Sequence, residues 1–172
     1  MTNAGVFTGF PDGSFAPNQT ITRAEMTAVI VRFIDKMDGM TLLGDYFSDI
    51  SSHWAVEYIN AAATSGWVQG YSDGTFRPNQ AITRAETAAM INRISGRLVE
   101  RVEDLLPDMQ TWPDNATVNA WYYFYIQSAT NSYNFTRRGT DNAFEHWVAI
   151  IPVRDWAVLE RPDSRPEDIL RP

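Results

Sequence analysis

The sequence predicts an all-α fold assembled from repeats. Two near-copies of one motif, Gly9 to Phe33 and Gly70 to Ile94, lie 61 residues apart and share 15 identities in 25 gapless positions. Each copy contains a helix-start signal followed by apolar residues at helical spacing, and a further apolar stripe of the same period lies between them. Repetition of this kind marks an architecture in which each unit buries its apolar face against its neighbours.

Each copy opens on a turn signal, Pro11-Asp12-Gly13 or Ser72-Asp73-Gly74, where glycine supplies the positive φ that a tight turn needs. Phe15 and Phe76 follow, then Pro17-Asn18 and Pro78-Asn79, which keep the chain extended and block an early helix. The segments Thr22-Arg23-Ala24-Glu25 and Thr83-Arg84-Ala85-Glu86 have the spacing of a capping box. In such a box the threonine hydroxyl takes the amide three residues on, and the glutamate reaches back to the threonine amide. Met26, Val29, Ile30, Phe33 and Met37 then share one helical face, as do Met90, Ile91, Ile94 and Leu98 in the second copy.

Between the copies, Phe47-Ser48-Asp49 leads to His53-Trp54, and Trp54, Ala55, Tyr58, Ile59 and Ala62 form another helical stripe that Gly66 stops. A full unit is therefore a His-Trp-Ala helix, an Asp-Gly loop and a Thr-Arg-Ala-Glu helix, of which the first copy has only the second half. Further on, Pro107-Asp108 echoes Ser48-Asp49, and Trp121, Tyr122, Tyr125, Ile126 and Ala129 reproduce the Trp54 stripe 67 residues later. Tyr133 to Arg138 stands where the Asp-Gly loop belongs, and Phe144, Trp147, Ile150 and Ile151 suggest a helix. The predicted organisation is the second half of repeat one over 1–40, repeat two over 41–100, a degenerate repeat three over 101–160, and a Pro-rich extended tail or linker over 161–172.

Composition narrows the function. A net charge of −7 and few clustered cations argue against nucleic acid. The absence of cysteine excludes disulfides and thiolate metal sites. No apolar run approaches the ~20 residues that span a bilayer, so membrane insertion is not expected. The first residues lack the pattern of a signal peptide, so for an exported protein that signal is expected upstream.

At these residues the chain resembles the S-layer homology family. Its repeats carry a His-Trp-Ala helix, a Gly-Tyr-x-Asp-Gly-x-Phe-x-Pro loop and an Ile-Thr-Arg-Ala-Glu helix start. The resemblance implies a three-repeat bundle about a pseudo-threefold axis, with inter-repeat grooves that hold an anionic secondary cell-wall polysaccharide, often bearing a pyruvate ketal. It implies a non-catalytic anchoring module at the bacterial cell surface with no cofactor. Arg23 and Arg84 would face the acidic sugar, Asp12, Asp73, Gly13 and Gly74 would lie near the groove rim, and Trp54 and Trp121 near groove walls. Repeat one lacks its His-Trp-Ala half and repeat three lacks the arginine motif, so three complete grooves do not follow. The missing half leaves an apolar face that upstream sequence, another domain or another chain would cover.

Independent chemistry bears on the arginines. Each stands at the first helical position, where the macrodipole disfavours a cation by a few tenths to ~1 kcal/mol. An anion at that point would take both the guanidinium and the helix amides; the competing reading pairs each arginine with a carboxylate of the next repeat. Glu25 and Glu86 are accounted for as caps rather than as a glycosidase pair. Asp12 and Asp73 read as turn residues, because the one carboxylate of Asp73-Gly74-Thr75-Phe76 does not make a calcium loop. His53 and His146 lack companions at zinc-ligand spacing. Most aromatics on the stripes are core, which leaves Trp67 and Tyr71 on the connecting loop as the better sugar contacts. The alternative function is an assembly module that contacts other parts of a surface protein.

Overall fold

A computed structural model of the chain describes residues 18–34, 45–138 and 143–152. Asp12, Gly13, Phe15, Met37 and the tail over 161–172 lie outside the described residues. The chain divides into two compact units, Met1–Arg97 and Leu98–Pro172.

The first unit holds helices α1 (Arg23–Ile34), α2 (Val56–Thr64) and α3 (Arg84–Ile94). Both predicted capping boxes form. Glu25 Nα donates to Thr22 Oγ1 at 3.2 Å while Thr22 Nα donates to Glu25 Oε2 at 2.7 Å. The second box repeats this with Glu86 Nα to Thr83 Oγ1 at 3.2 Å and Thr83 Nα to Glu86 Oε2 at 2.9 Å. Helices α2 and α3 end in one motif: Gly66 and Gly96, at φ of 71° and 62°, turn the chain left-handed. The next amide then returns to the third-last helical carbonyl, Trp67 to Ala62 at 2.9 Å and Arg97 to Asn92 at 2.8 Å.

Helix α1 packs against α2, and the core gathers Ala24, Ile30, Val31, Ile59, Ala62, Phe76 and Met90. The two motif copies meet directly. Ile82 donates its amide to the carbonyl of its repeat equivalent Ile21 at 3.2 Å, and the Arg23 and Ala24 amides donate to Gln80 O at 2.9 Å and Pro78 O at 3.0 Å. The first turn of α1 is thus sealed by the loop of the second copy.

The second unit corrects the all-α expectation of a three-repeat pseudo-threefold bundle. Its helix α4 (Tyr123–Thr130) is followed by an antiparallel hairpin, β1 (Tyr133–Arg138) and β2 (Phe144–Ile150). The segment with Phe144, Trp147 and Ile150, expected to be helical, is a strand. Tyr133 to Arg138, expected as a loop, is its partner, with Phe135 opposite Trp147 and Thr136 opposite His146. The physical reason is that Tyr133, Phe135, Thr136, Phe144, Trp147, Val148 and Ile150 are β-branched or aromatic, types that suit a pleated surface and pair across the ladder. Tyr133 stacks on Trp147 with ring centroids 3.7 Å apart, and its hydroxyl donates to buried Glu145 at 2.7 Å. Asp104, buried in a single 3-10 turn, takes Arg138 Nη2 at 2.5 Å and lies 3.2 Å from His146 Nδ1. Together they tie the hairpin down. The inward face of α4 is Tyr123 and Gln127 rather than the expected Trp121 stripe.

Candidate functional site

The two motif arginines occupy different environments. Arg23 is 4% exposed, and its guanidinium is held on several sides. Nη1 pairs with Glu86 Oε1 at 2.6 Å, Nε donates to Phe76 O at 2.8 Å, and Nη2 donates to Gln69 O at 3.1 Å. The charge also lies 4.6 Å from the Phe76 ring centre and 5.0 Å from that of Tyr71. All of these partners belong to the second repeat. Arg84, its equivalent in that repeat, is exposed at the start of α3, and its side chain makes no hydrogen bond or ion pair among the described residues.

Tyr71 joins this cluster through its hydroxyl, which donates to Glu86 Oε1 at 2.8 Å and accepts from Gln80 Nε2 at 3.2 Å. Burial, and then the bond to Glu86, raise the Tyr71 pKa above its ordinary value. Burial also acts to raise Glu86, but the Thr83 amide, the Tyr71 hydroxyl and Arg23 outweigh it and hold the carboxylate below its ordinary value.

Asp73 and Gly74 sit at the exposed turn of the same loop. The Asp73 carboxylate accepts from Thr75 Oγ1 at 2.6 Å, from Thr75 Nα at 3.0 Å and from Arg77 Nη2 at 2.9 Å. The bonds from Thr75 and Arg77 lower its pKa to about 2. Trp67 is half-buried and packs against the core. Trp54 is 57% exposed and meets Tyr58 edge-on at 6.4 Å. Its neighbour His53 accepts the Ala55 amide on Nδ1 at 3.2 Å, which leaves Nε2 to donate to Asn79 Oδ1 at 3.0 Å. Trp121, 58% exposed, lies in the second unit.

The structure therefore brings Arg23, Tyr71 and the Asp73 turn into one network. Arg84 stands outside that network, and Trp54 belongs to a separate aromatic contact. Two residues of the cluster escaped sequence reasoning. Arg77, at φ 57°, is the one non-glycine with positive φ among the described residues, and it lies 3.8 Å above the Tyr71 ring. Asp49 takes the Phe76 and Arg77 amides, each at 2.8 Å. The recurrence of an aspartate ahead of both the Trp54 and Trp121 stripes was a signal for Asp49; a left-handed arginine before proline leaves none. Among the described residues, no group of three or more acids and histidines is placed to hold a metal ion, and no helix is long and apolar enough to cross a membrane.

The S-layer homology domain family matches residues 1–27 and 46–88. Cell surface glycoprotein 1 of Acetivibrio thermocellus is 41% identical over 101 residues, which cover 54% of this chain and 4% of that protein. The cellulosome-anchoring protein of the same organism is 42% identical over 96 residues, 54% of this chain and 22% of its own length. S-layer protein EA1 of Bacillus anthracis is 28% identical over 126 residues, 69% of this chain and 14% of that protein. The chain thus spans less than a quarter of each of these relatives.

Proposed function

We propose that this chain, which matches the S-layer homology domain family over residues 1–27 and 46–88, is a non-catalytic module that anchors a surface protein to an anionic secondary cell-wall polysaccharide. Relatives named as a cellulosome-anchoring protein and as an S-layer protein support the anchoring role. The polysaccharide and the residues that hold it are the finer reading. The single observation that carries it is the contrast between the two arginines. Arg23 is buried against Glu86, whereas Arg84 is exposed at the N-terminus of an 11-residue helix without a carboxylate partner among the described residues. A cation left at the positive end of a helix dipole is stabilised by an incoming anion, to which the guanidinium and the helix amides both donate.

Under this reading Arg84 is the principal anion contact. Tyr71, Gly74, Trp54, Trp67 and Trp121 remain candidate sugar contacts, together with Asp12 and Gly13. Arg23 serves the assembly of the repeats, as its pairing with Glu86 favours. The test is co-sedimentation of the purified chain with pyruvylated cell walls. Arg84→Ala is expected to weaken binding about tenfold or more, the worth of a charge-assisted hydrogen bond, without change in thermal stability. Unchanged binding by Arg84→Ala would refute the assignment.

A further inference from the structure

We propose that Arg77 is a second anion contact of the polysaccharide site and that Asp73 occupies its guanidinium in the absence of ligand, so that Asp73 opposes binding rather than contributing to it. The inference rests on the wall-polysaccharide reading above and adds to it a residue and a sign.

Its starting point is the backbone. A left-handed φ of 57° on an arginine followed by Pro78 is unfavourable twice over, since side chains resist that region and the residue before proline is biased toward extended geometry. The loop enforces it: Asp49 holds the Phe76 and Arg77 amides at 2.8 Å, and the Gln80 amide donates to Arg77 O at 3.1 Å. None of these bonds uses the arginine side chain, and the first repeat has Ala16 at the same place. Closing the loop therefore does not require a guanidinium. Strain held in place by over-determined surroundings is characteristic of ligand clamps.

The side chain stacks 3.8 Å over Tyr71, donates from Nε to Thr75 Oγ1 at 3.3 Å and reaches Asp73 Oδ2 at 2.9 Å. Both partners of this ion pair are half-exposed, 45% for Arg77 and 51% for Asp73, unlike the Arg23–Glu86 pair at 5% and 11%. An exposed pair of this kind adds little. A ligand carboxylate can replace Asp73 while the fork stays oriented by Tyr71, and such a planar fork suits a carboxylate better than an ammonium does. The Asp73 carboxylate is then the internal stand-in for the ligand's own.

Asp73→Asn separates the two roles, because the amide oxygen still accepts from Thr75 Nα and Oγ1 while the charge facing Arg77 is lost. Titration of the full chain with purified wall polysaccharide should show Asp73→Asn binding about two- to fivefold more tightly than wild type. Arg77→Ala should weaken binding about fivefold, and Arg77→Lys should recover only part of it. In the Arg77→Ala background Asp73→Asn should give no gain, and neither should Glu57→Gln, a change of equal charge at an exposed site on α2. The gain should also vanish on polysaccharide stripped of its ketal carboxylates by mild acid. Far-UV circular dichroism checks that each variant is folded. Weaker or unchanged binding by folded Asp73→Asn, or a gain that persists without Arg77, overturns the proposal while leaving the wall-binding reading intact. Failure of the wild type to bind any wall polysaccharide overturns both.

Discussion

Arg23 and Glu86, 63 residues apart in the chain, meet at 2.6 Å with almost no solvent between their side chains and the core. Breaking one side of a buried pair leaves the other charge uncompensated, which costs about 3 kcal/mol. Glu86→Gln isolates this effect, because glutamine still completes the capping box. Its loss in urea unfolding should be about 3 kcal/mol, and Arg23→Met should lose a similar amount. The double variant should recover part of that, since no charge is then stranded. Losses that simply add would show that the pair carries no coupling.

The same cluster bounds stability on both sides of neutral pH. Glu86 is held below its ordinary 4.5 in the folded chain, so its stabilisation is complete above that pH and is lost as pH falls through the lower folded value. Tyr71 is raised above its ordinary 10.0, so its contribution is complete below that pH and is lost as pH rises through the higher folded value. Melting temperature followed across pH should therefore show an acid limb that begins near pH 4.5 and an alkaline limb above pH 10. In Glu86→Gln the acid limb should flatten; an unchanged limb would assign it to other carboxylates.

Thr83→Ala removes the hydroxyl that accepts the Glu86 amide at 3.2 Å, and a lost cap of this kind costs about 1 kcal/mol. Gly70→Ala should cost more, about 1–3 kcal/mol. A methyl group there would press on the Phe47 ring and come within 2.6 Å of Thr75 O, a backbone atom fixed by its bond from the Tyr71 amide. Chemical denaturation of the two variants should rank them in that order.

The tryptophans divide sharply. Trp147 is 1% exposed, and its truncation to alanine should cost about 3–5 kcal/mol. Trp54→Ala should stay within about 1 kcal/mol, because more than half of that side chain is already in water. Acrylamide should quench Trp54 and Trp121 well before Trp147, and a wall polysaccharide that stacks on Trp54 should protect it.

Much of the first unit was legible because its signals are local. The Thr22 and Thr83 boxes and the Gly66 stop depend on a few adjacent residues, and each forms as its spacing predicts. The hairpin was not legible because its inward face hides the period of two. The buried positions of β2 are Glu145 and Trp147, so an acid stands where an apolar residue would have revealed the alternation. Phe144, Trp147, Ile150 and Ile151 meanwhile fall at helical intervals by coincidence. In the candidate site, the residue types were legible but their partners were not. Arg23 and Arg84 are indistinguishable in their motifs, and only the tertiary fold sends one to a carboxylate and leaves the other in solvent.

Glu86 divides its labour between two oxygens. Oε2 closes the cap of its own helix, while Oε1 receives the arginine of the preceding copy. That gives the pair of copies a direction no single repeat possesses: the cation of the first is handed forward to the acid of the second. Exchanging the order of two repeats would not preserve the hand-over, because the receiving loop brings its own tyrosine and its own Phe76 carbonyl. Arg84 is a cation with no such recipient among the described residues. Among the described residues the two copies are thus joined by one head-to-tail coupling and carry one arginine, Arg84, without its counterpart, and an unspent valence of that kind is where two near-copies of one motif can part in what they hold.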